Sequence, residues 1–410
     1  MSTAFRFVIF VLGAIAVPAL AQTPLTLADA EARAIEHAPS LMRMRAAVDA
    51  ASARTTAADR LPDPQLLFGA INVPTDSYRL NQEDMTMAMV GIRQVFPPWG
   101  SLDSRAQRAA GEQAQEQARL DIERRGLLRE VRQAWLELYY TEGAQRLLES
   151  ARELARRDLA AAEARRRAAQ DTLRAVYQAR QQIARLDERL LMLRAQSEQA
   201  RARLARWIGA AARDPLPDAL PALPAARTFD PDHNPEWRVA QAGLDVAHAE
   251  VNMARAEFKP GVMLDLQYGF RRPMPDGTQR PDMVTAMITL DLPLFRAKRQ
   301  DQRLAESESM ESAARYASDD KRRELQAMDQ SLRAERDALV ERVRVYEQEL
   351  LPSLRSEVQD ASAGFARELT ERRAARMKEI DAEMELLRLR VDLVKTQTEL
   401  LYLNGEEPQS

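Results

Sequence analysis

Val262-Met263-Leu264-Asp265-Leu266-Gln267-Tyr268-Gly269-Phe270-Arg271 and, twelve residues on, Met283-Val284-Thr285-Ala286-Met287-Ile288-Thr289-Leu290-Asp291-Leu292-Pro293-Leu294 decide the fold. In the first segment Val262, Leu264, Leu266, Tyr268 and Phe270 alternate with Met263, Asp265, Gln267, Gly269 and Arg271. In the second, Val284, Ala286, Ile288, Leu290, Leu292 and Leu294 alternate with Met283, Thr285, Met287, Thr289, Asp291 and Pro293. One phase is wholly apolar and the other largely polar, the period-two pattern of strands with one face out of water. Each segment is about ten residues long, the length of a transmembrane β-strand. Pro273 to Asp282 reads as the hairpin loop. An earlier pair, 65–73 and 85–96, has the same layout around a loop at Arg79 to Asp84, but both of its phases carry apolar residues.

Working outward, the layout occurs twice. His37-Ala38-Pro39-Ser40-Leu41 opens one helical stretch, and His233-Asn234-Pro235-Glu236-Trp237 opens another, with 196 residues from Pro39 to Pro235. Trp207-Ile208-Gly209 closes the first copy and Leu403-Asn404-Gly405 the second, again 196 apart. Between these marks Leu61-Pro62 recurs as Lys259-Pro260, and Phe96-Pro97 as Leu292-Pro293. The expected division is a first repeat over 22–209, a linker over 210–234 that includes proline-rich Pro215 to Pro224, a second repeat over 235–405 and a tail over 406–410. Each repeat reads helix, strand, strand, very long helix, return helix.

The helices carry a different period. Val176, Ala179, Ile183, Leu186, Leu190, Leu193, Ser197, Ala200, Leu204 and Trp207 keep a three-four spacing, as do Ile380, Met384, Leu387, Val391, Val394, Thr398 and Leu401. These are coiled-coil seams. Long helices are expected over 101–170 and 300–368, with returns over 173–208 and 370–403. The first long helix would run roughly 105 Å, and the return from Asp171 to Gly209 only about 58 Å. The missing length matches a helix from Pro39 to Leu61, about 35 Å, so one long helix can pack along two shorter ones stacked end to end. Pro352 removes a backbone donor and crowds the preceding turn, so a kink is expected there.

At the start of the chain, Arg6 precedes an apolar run from Phe7 to Val17 and then Pro18-Ala19-Leu20-Ala21. That is the pattern of a secretory signal peptide over 1–21, cleaved between Ala21 and Gln22. The absence of cysteine excludes disulfides, thiolate nucleophiles and a lipid-modified cysteine, and three histidines leave little for a zinc site. A net charge of -3 offers no footprint for nucleic acid. No nucleophile–base pair, phosphate loop or dinucleotide fingerprint is present, so neither enzymatic activity nor a cofactor is expected.

Four strands with a continuous apolar face cannot close a barrel, and lipid offers no partner to an open sheet edge. Several chains must therefore share one barrel, with the paired long helices forming a second tube. The duplicated order resembles the TolC family of outer-membrane efflux proteins over essentially the whole mature chain. Leu61-Pro62-Asp63-Pro64, Gly69-Ala70-Ile71-Asn72-Val73-Pro74, Met85-Thr86-Met87 and Gly91-Ile92-Arg93-Gln94-Val95-Phe96-Pro97 resemble its heavy-metal branch, the cobalt-zinc-cadmium and copper-silver type. Leu350-Leu351-Pro352 is similar to the family's proline in the second long helix. The resemblance implies a mainly α fold with a transmembrane β part: a homotrimer pooling its strands in a β-barrel in outer-membrane lipid, above an α-helical barrel in the periplasm of a Gram-negative bacterium. It further implies a passive exit duct of a tripartite efflux system for heavy-metal cations, served by a periplasmic adaptor protein and an inner-membrane proton-driven pump. A duct for drugs or type I protein secretion is the alternative within the family, and a periplasmic coiled-coil adaptor the alternative outside it. Unlike the family, the chain has no glycine from Arg165 to Thr172 or from Phe365 to Arg372, where the helices turn.

Several residues are candidates for a role in the duct. Met85, Met87 and Met89 alternate on one strand face, and Met263, Met283 and Met287 share the polar, lumenal phase. Thioethers are soft ligands suited to Cu(I), although methionine also simply fills space. Glu368, Glu371 and Asp381 lie near the second helical turn, where symmetry would repeat them as acidic rings favouring cations; a solvated helix end is the alternative. His37 and His233 read as helix-entry residues, and Arg165-Arg166-Arg167 as an adaptor contact or a solvated turn.

Overall fold

A computed structural model describes residues 24–169, 172–363 and 368–405. In chain order the elements are α1 (Leu27–His37), α2 (Pro39–Ala58), β1 (Gln65–Ile71), β2 (Met87–Phe96), α3 (Ser101–Arg167) and α4 (Leu173–Ile208). A joint with two short 3-10 turns (Gly209–Arg213 and Pro231–His233) leads to α5 (Pro235–Ala256), β3 (Gly261–Phe270), β4 (Met283–Asp291) and α6 (Gln300–Val345). A π-helical turn (Tyr346–Leu350), α7 (Leu351–Ala363) and α8 (Glu368–Leu403) complete the chain. The expected signal peptide with Ala21 and Gln22, and the tail over 406–410, lie outside the described residues.

Several boundaries differ from expectation for physical reasons. Helix α1, capped by the Thr26 side chain accepting from the Asp29 amide, was not anticipated as a separate element. Strand β1 stops at Ile71 because Asn72 turns to a φ of 54°, and β2 begins only at Met87, which leaves Met85 in a turn rather than on a strand. Strand β4 ends at Asp291, short of Leu294, where Pro293 has no amide to continue a ladder. The expected helix over 300–368 is broken at the π turn. Pro352 cannot donate to the carbonyl four residues back, and its ring crowds that group, so the preceding turn widens.

Long helix α3, about 100 Å at 1.5 Å per residue, packs on α2 and α4 of its own repeat and on α5 and α8 of the other. Helix α6 packs on α5 and α8, and α7 on α8. Both repeats thus lay two shorter helices along one long path. Where α8 ends and α5 begins, Asn234 joins them: its Oδ1 accepts from the amides of Glu236 (2.8 Å) and Trp237 (3.2 Å), and its Nδ2 donates to the Leu403 carbonyl at 2.7 Å. Tyr402 also donates to Glu236 across this joint at 3.1 Å, and burial beside that carboxylate pushes its pKa up to about 12, so it stays a donor. The glycines that close the copies, Gly209 and Gly405, have φ of 61° and 70°, the left-handed geometry that glycine adopts without strain.

Halfway along α3, fully buried Trp135 donates to the Leu25 carbonyl at 3.0 Å, Arg132 pairs with Glu31 at 2.5 Å, and Tyr139 donates to the Asp218 carbonyl at 2.7 Å. Leu216, Leu220 and Leu223 of the joint pack on the same core. The proline-rich segment is a packed wall rather than a free tether. Further along, Leu148, Leu186, Leu190, Ile380 and Met384 form a second core cluster, so the seams of both return helices meet on α3.

Candidate channel wall and periplasmic tip

The strands form one antiparallel sheet in the order β1-β2-β3-β4, with the two hairpins joined through β2 and β3. The register places Met87, Met89, Gly91, Arg93 and Val95 on the face of Gly269, Gln267, Asp265 and Met263, and these on the face of Met283, Thr285, Met287, Thr289 and Asp291. The opposite face carries Leu66, Phe68 and Ala70 of β1; Ala88, Val90, Ile92, Gln94 and Phe96 of β2; Val262, Leu264, Leu266, Tyr268 and Phe270 of β3; and Val284, Ala286, Ile288 and Leu290 of β4. Gln94 is its single polar member. Pairing with β3 thus assigns the faces of the first hairpin, which its own alternation leaves ambiguous. From Val262 to Phe270 the apolar face covers about 26 Å before tilt, close to the roughly 25 Å band of an outer-membrane barrel. Phe68 on this face is 80 % exposed. Trp99 and Phe295 stand exposed at the helical end and Tyr78 at the loop end, as aromatic girdles require.

On the polar face Arg93 donates two bonds to Asp265, at 2.5 and 3.1 Å, and covers a carboxylate that is only 1 % exposed. The hairpin loops are locked together at the far end. Buried Arg280 donates to the carbonyls of Arg272 (2.7 Å), Glu83 (2.5 Å), Asp84 (3.1 Å) and Leu80 (3.2 Å), while Arg271 donates to the carbonyl and carboxylate of Asp84 at 2.6 and 2.8 Å. Nothing in the sequence separates Arg280 from the other arginines. Its role depends on four carbonyls brought together by the loops of both repeats.

At the opposite end α3 turns back at Ala168 and Ala169. Arg165, Arg166 and Arg167 form its last turn, which suits a helix C-terminus, and Ala169 adopts a φ of 56°. The repeats are tied there by Arg373 of α8, which bonds the Asp158 carboxylate at 3.3 Å and its carbonyl at 3.2 Å. Further up, Arg189 of α4 meets Asp381 of α8 at 2.8 Å. Asp381 is therefore paired with a cation and stands about 15 Å along the helix from Glu371. Glu371 is exposed; Glu368 opens α8, and its side chain lies outside the described residues. Next along α8, Glu137 of α3 accepts from Lys395 (2.5 Å) and Arg388 (3.3 Å); burial raises its pKa, but the two cations outweigh burial and hold it below the ordinary 4.5. His37 bonds the Arg33 carbonyl at 3.0 Å and His233 the Asp230 carboxylate at 2.9 Å, both as local helix-end contacts.

A sheet with one face for lipid, joined to periplasm-length helical hairpins in two repeats, is the frame of an export duct. The sequence profile described as Outer membrane efflux protein matches residues 32–210 and 232–406. The chain belongs to the outer membrane efflux protein family. The match falls in two spans, one on either side of the proline-rich joint. As an outer membrane efflux protein it acts as a channel in the outer membrane, with its helices in the periplasm, and the adaptor alternative falls away. Its fold is TolC-like. A structure of CusC, concerned with conformational changes accompanying folding and transmembrane channel formation, is similar at a TM-score of 0.79 and 17 % identity over 93 % of this chain and 92 % of that one. The outer membrane protein VceC of Vibrio cholerae gives 0.78 and 19 % over 93 % and 96 %, and the MtrE channel of Neisseria gonorrhoeae 0.70 and 19 % over 93 % and 89 %. Among curated protein sequences no significant match is found.

Proposed function

We propose that three copies of this chain form a passive exit duct for heavy-metal cations in a tripartite efflux system, fed by an inner-membrane proton-driven pump through a periplasmic adaptor. The supporting observation is the four-stranded sheet whose apolar face is exposed and whose β1 and β4 edges have no partner within it. An even number of alternating strands lets β4 of one copy meet β1 of the next antiparallel. Two copies would give eight strands, about the size at which side chains fill the interior; a third opens a lumen. Exposed Met310, Tyr316, Met328 and Val340 on α6 supply apolar surface for neighbouring copies in the helical tube.

The metal cargo is supported by the short motifs of the first hairpin. Glu371, with Glu368, would form a cation-favouring ring at the periplasmic mouth. Native mass spectrometry of detergent-extracted outer membranes is expected to show trimers, and monomers alone would sink the shared barrel. Deleting the gene is expected to lower tolerance to copper, silver, zinc, cadmium or cobalt salts; unchanged tolerance to all five, with sensitivity to drugs or loss of a secreted protein, would move the cargo to the other branch. Glu371→Gln is expected to reduce the cation selectivity of single channels in planar bilayers, and unchanged selectivity removes the acidic ring.

A further inference from the structure

All five methionines within the strands fall on the polar face: Met87 and Met89 of β2, Met263 of β3, Met283 and Met287 of β4. Lipid accepts a thioether as readily as a leucine, so space-filling alone gives no reason to avoid the lipid face. Met283 and Met287 are exposed, and the other three are half-buried. Within this set the register singles out one group. Met89 and Met283 are the direct partners of Gly269 on its two sides, and such partners have Cβ atoms about 4.5–5.5 Å from the central position. Met87 leans across from the next row, with its sulfur 2.5 Å from where a Cβ on Gly269 would stand. The glycine supplies a gap that the Met87 thioether occupies, and the register sets Met89 and Met283 on the strands at either side of it. No histidine, cysteine or carboxylate belongs to the group, so its chemistry is soft and uncharged. It lies at the loop end of the sheet, towards the outer mouth.

We infer that Met87, Met89 and Met283 form a thioether site for a soft monovalent cation, Cu(I) or Ag(I), on the lumenal wall near the exit. Cargo would touch down there by exchanging ligands between sulfurs. The inference rests on the proposed orientation of the barrel, polar face inward, and narrows the cargo from heavy metals in general to soft ones. Neutral thioether donors hold Cu(I) and Ag(I) and leave harder, oxygen-seeking divalent ions in water.

The test uses the purified trimer in detergent and silver nitrate in a chloride-free buffer, with bound metal measured after desalting. Wild type is expected to retain about three silver ions per trimer, one per triad, and to retain no zinc under the same conditions. The triple variant Met87→Leu, Met89→Leu, Met283→Leu keeps apolar volume and should stay trimeric on native gels while losing the silver. Met263→Leu with Met287→Leu, on the same face but away from Gly269, should leave binding unchanged. Gly269→Ala removes no sulfur, yet its methyl group displaces the Met87 thioether and should weaken silver retention at least tenfold. Wild type without silver, or a triple variant that binds as wild type does, overturns the site. A duct that exports no metal would show instead as unchanged metal tolerance in the deletion strain, a result that binding to the purified trimer does not influence.

Discussion

The two long helical paths of this channel start from one design and end differently. In the first repeat α3 runs unbroken from Ser101 to Arg167; in the second the same path is α6, a π turn and α7. Only a proline separates them in kind. Pro352 withholds a donor, the turn before it widens, and a groove of about 680 Å³ opens beside it, lined by Leu147 of α3, Glu347 and Leu351 of the second path, and Leu386 and Arg390 of α8. The first path, without such a break, packs on helices of both repeats, whereas among the described residues α7 packs mainly on α8 and the π turn. The unbroken path is therefore the spine that both repeats share.

Transferring the break should show how much the spine matters. Arg156, exposed on α3, stands 196 residues before Pro352. Arg156→Pro removes one ladder bond and adds a ring clash in an otherwise continuous helix, at a cost of about 3 kcal/mol. A lowered unfolding temperature of the trimer by differential scanning calorimetry is expected; no change would mean that α3 absorbs a π turn as readily as its counterpart. The converse variant, Pro352→Ala, restores a donor to the Gln348 carbonyl. It should convert the π turn to α-helix, rotate α7 and narrow the groove, which a cryo-EM map of the trimer would show.

The second-largest effect concerns the tie between the spine and α8. Arg373 is almost buried and serves the charge and the carbonyl of Asp158 together. Arg373→Ala loses charged hydrogen bonds worth about 2 kcal/mol. Its expected consequence is a larger mean single-channel conductance in planar bilayers, since the end of α8 is released from the spine. Unaltered conductance would show that closure of the tip resides elsewhere.

How much of this was legible beforehand depends on whether a residue's role is local. The period-two phase of β3 and β4, the heptad seams of α4 and α8, and the closing glycines all act within one element, and all were readable. The repeat made the strand count readable, and with it the need for neighbours. What failed was non-local. The faces of the first hairpin emerge only from its pairing with β3; Arg280 matters only because two distant loops present their carbonyls; and α1 escaped notice because its core partners lie a hundred residues away on α3. That Arg189 of another helix faces Asp381 is likewise invisible along the chain.

A smaller effect follows from Glu137, which joins α8 to the spine. Its carboxyl titrates below 4.5 in the folded channel. A depressed pKa means that its contribution is complete above the unfolded value and is lost as pH falls through the folded one. The unfolding temperature should therefore hold from neutral pH to about 5 and fall below that. Glu137→Gln should start lower and lose part of this slope; a variant with the wild-type slope would assign the acid sensitivity to other carboxylates.

The smallest effect is a gain, at the tip of the unbroken path. Ala169 takes a φ of 56° in the turn where efflux channels of this kind are expected to carry glycine. A left-handed conformation costs a residue with a Cβ about 1 kcal/mol, and glycine avoids it at the expense of more freedom in the unfolded chain. Ala169→Gly should stabilise by up to about 1 kcal/mol, which is less than any loss above because the two terms oppose each other. Chemical denaturation of the trimer, read at its midpoint, measures the difference. A shift to lower denaturant would mean that the alanine methyl makes contacts in the assembled tip that outweigh its strain. The missing glycine would then be a requirement of docking between copies or with a partner, and not a tolerated departure from the family.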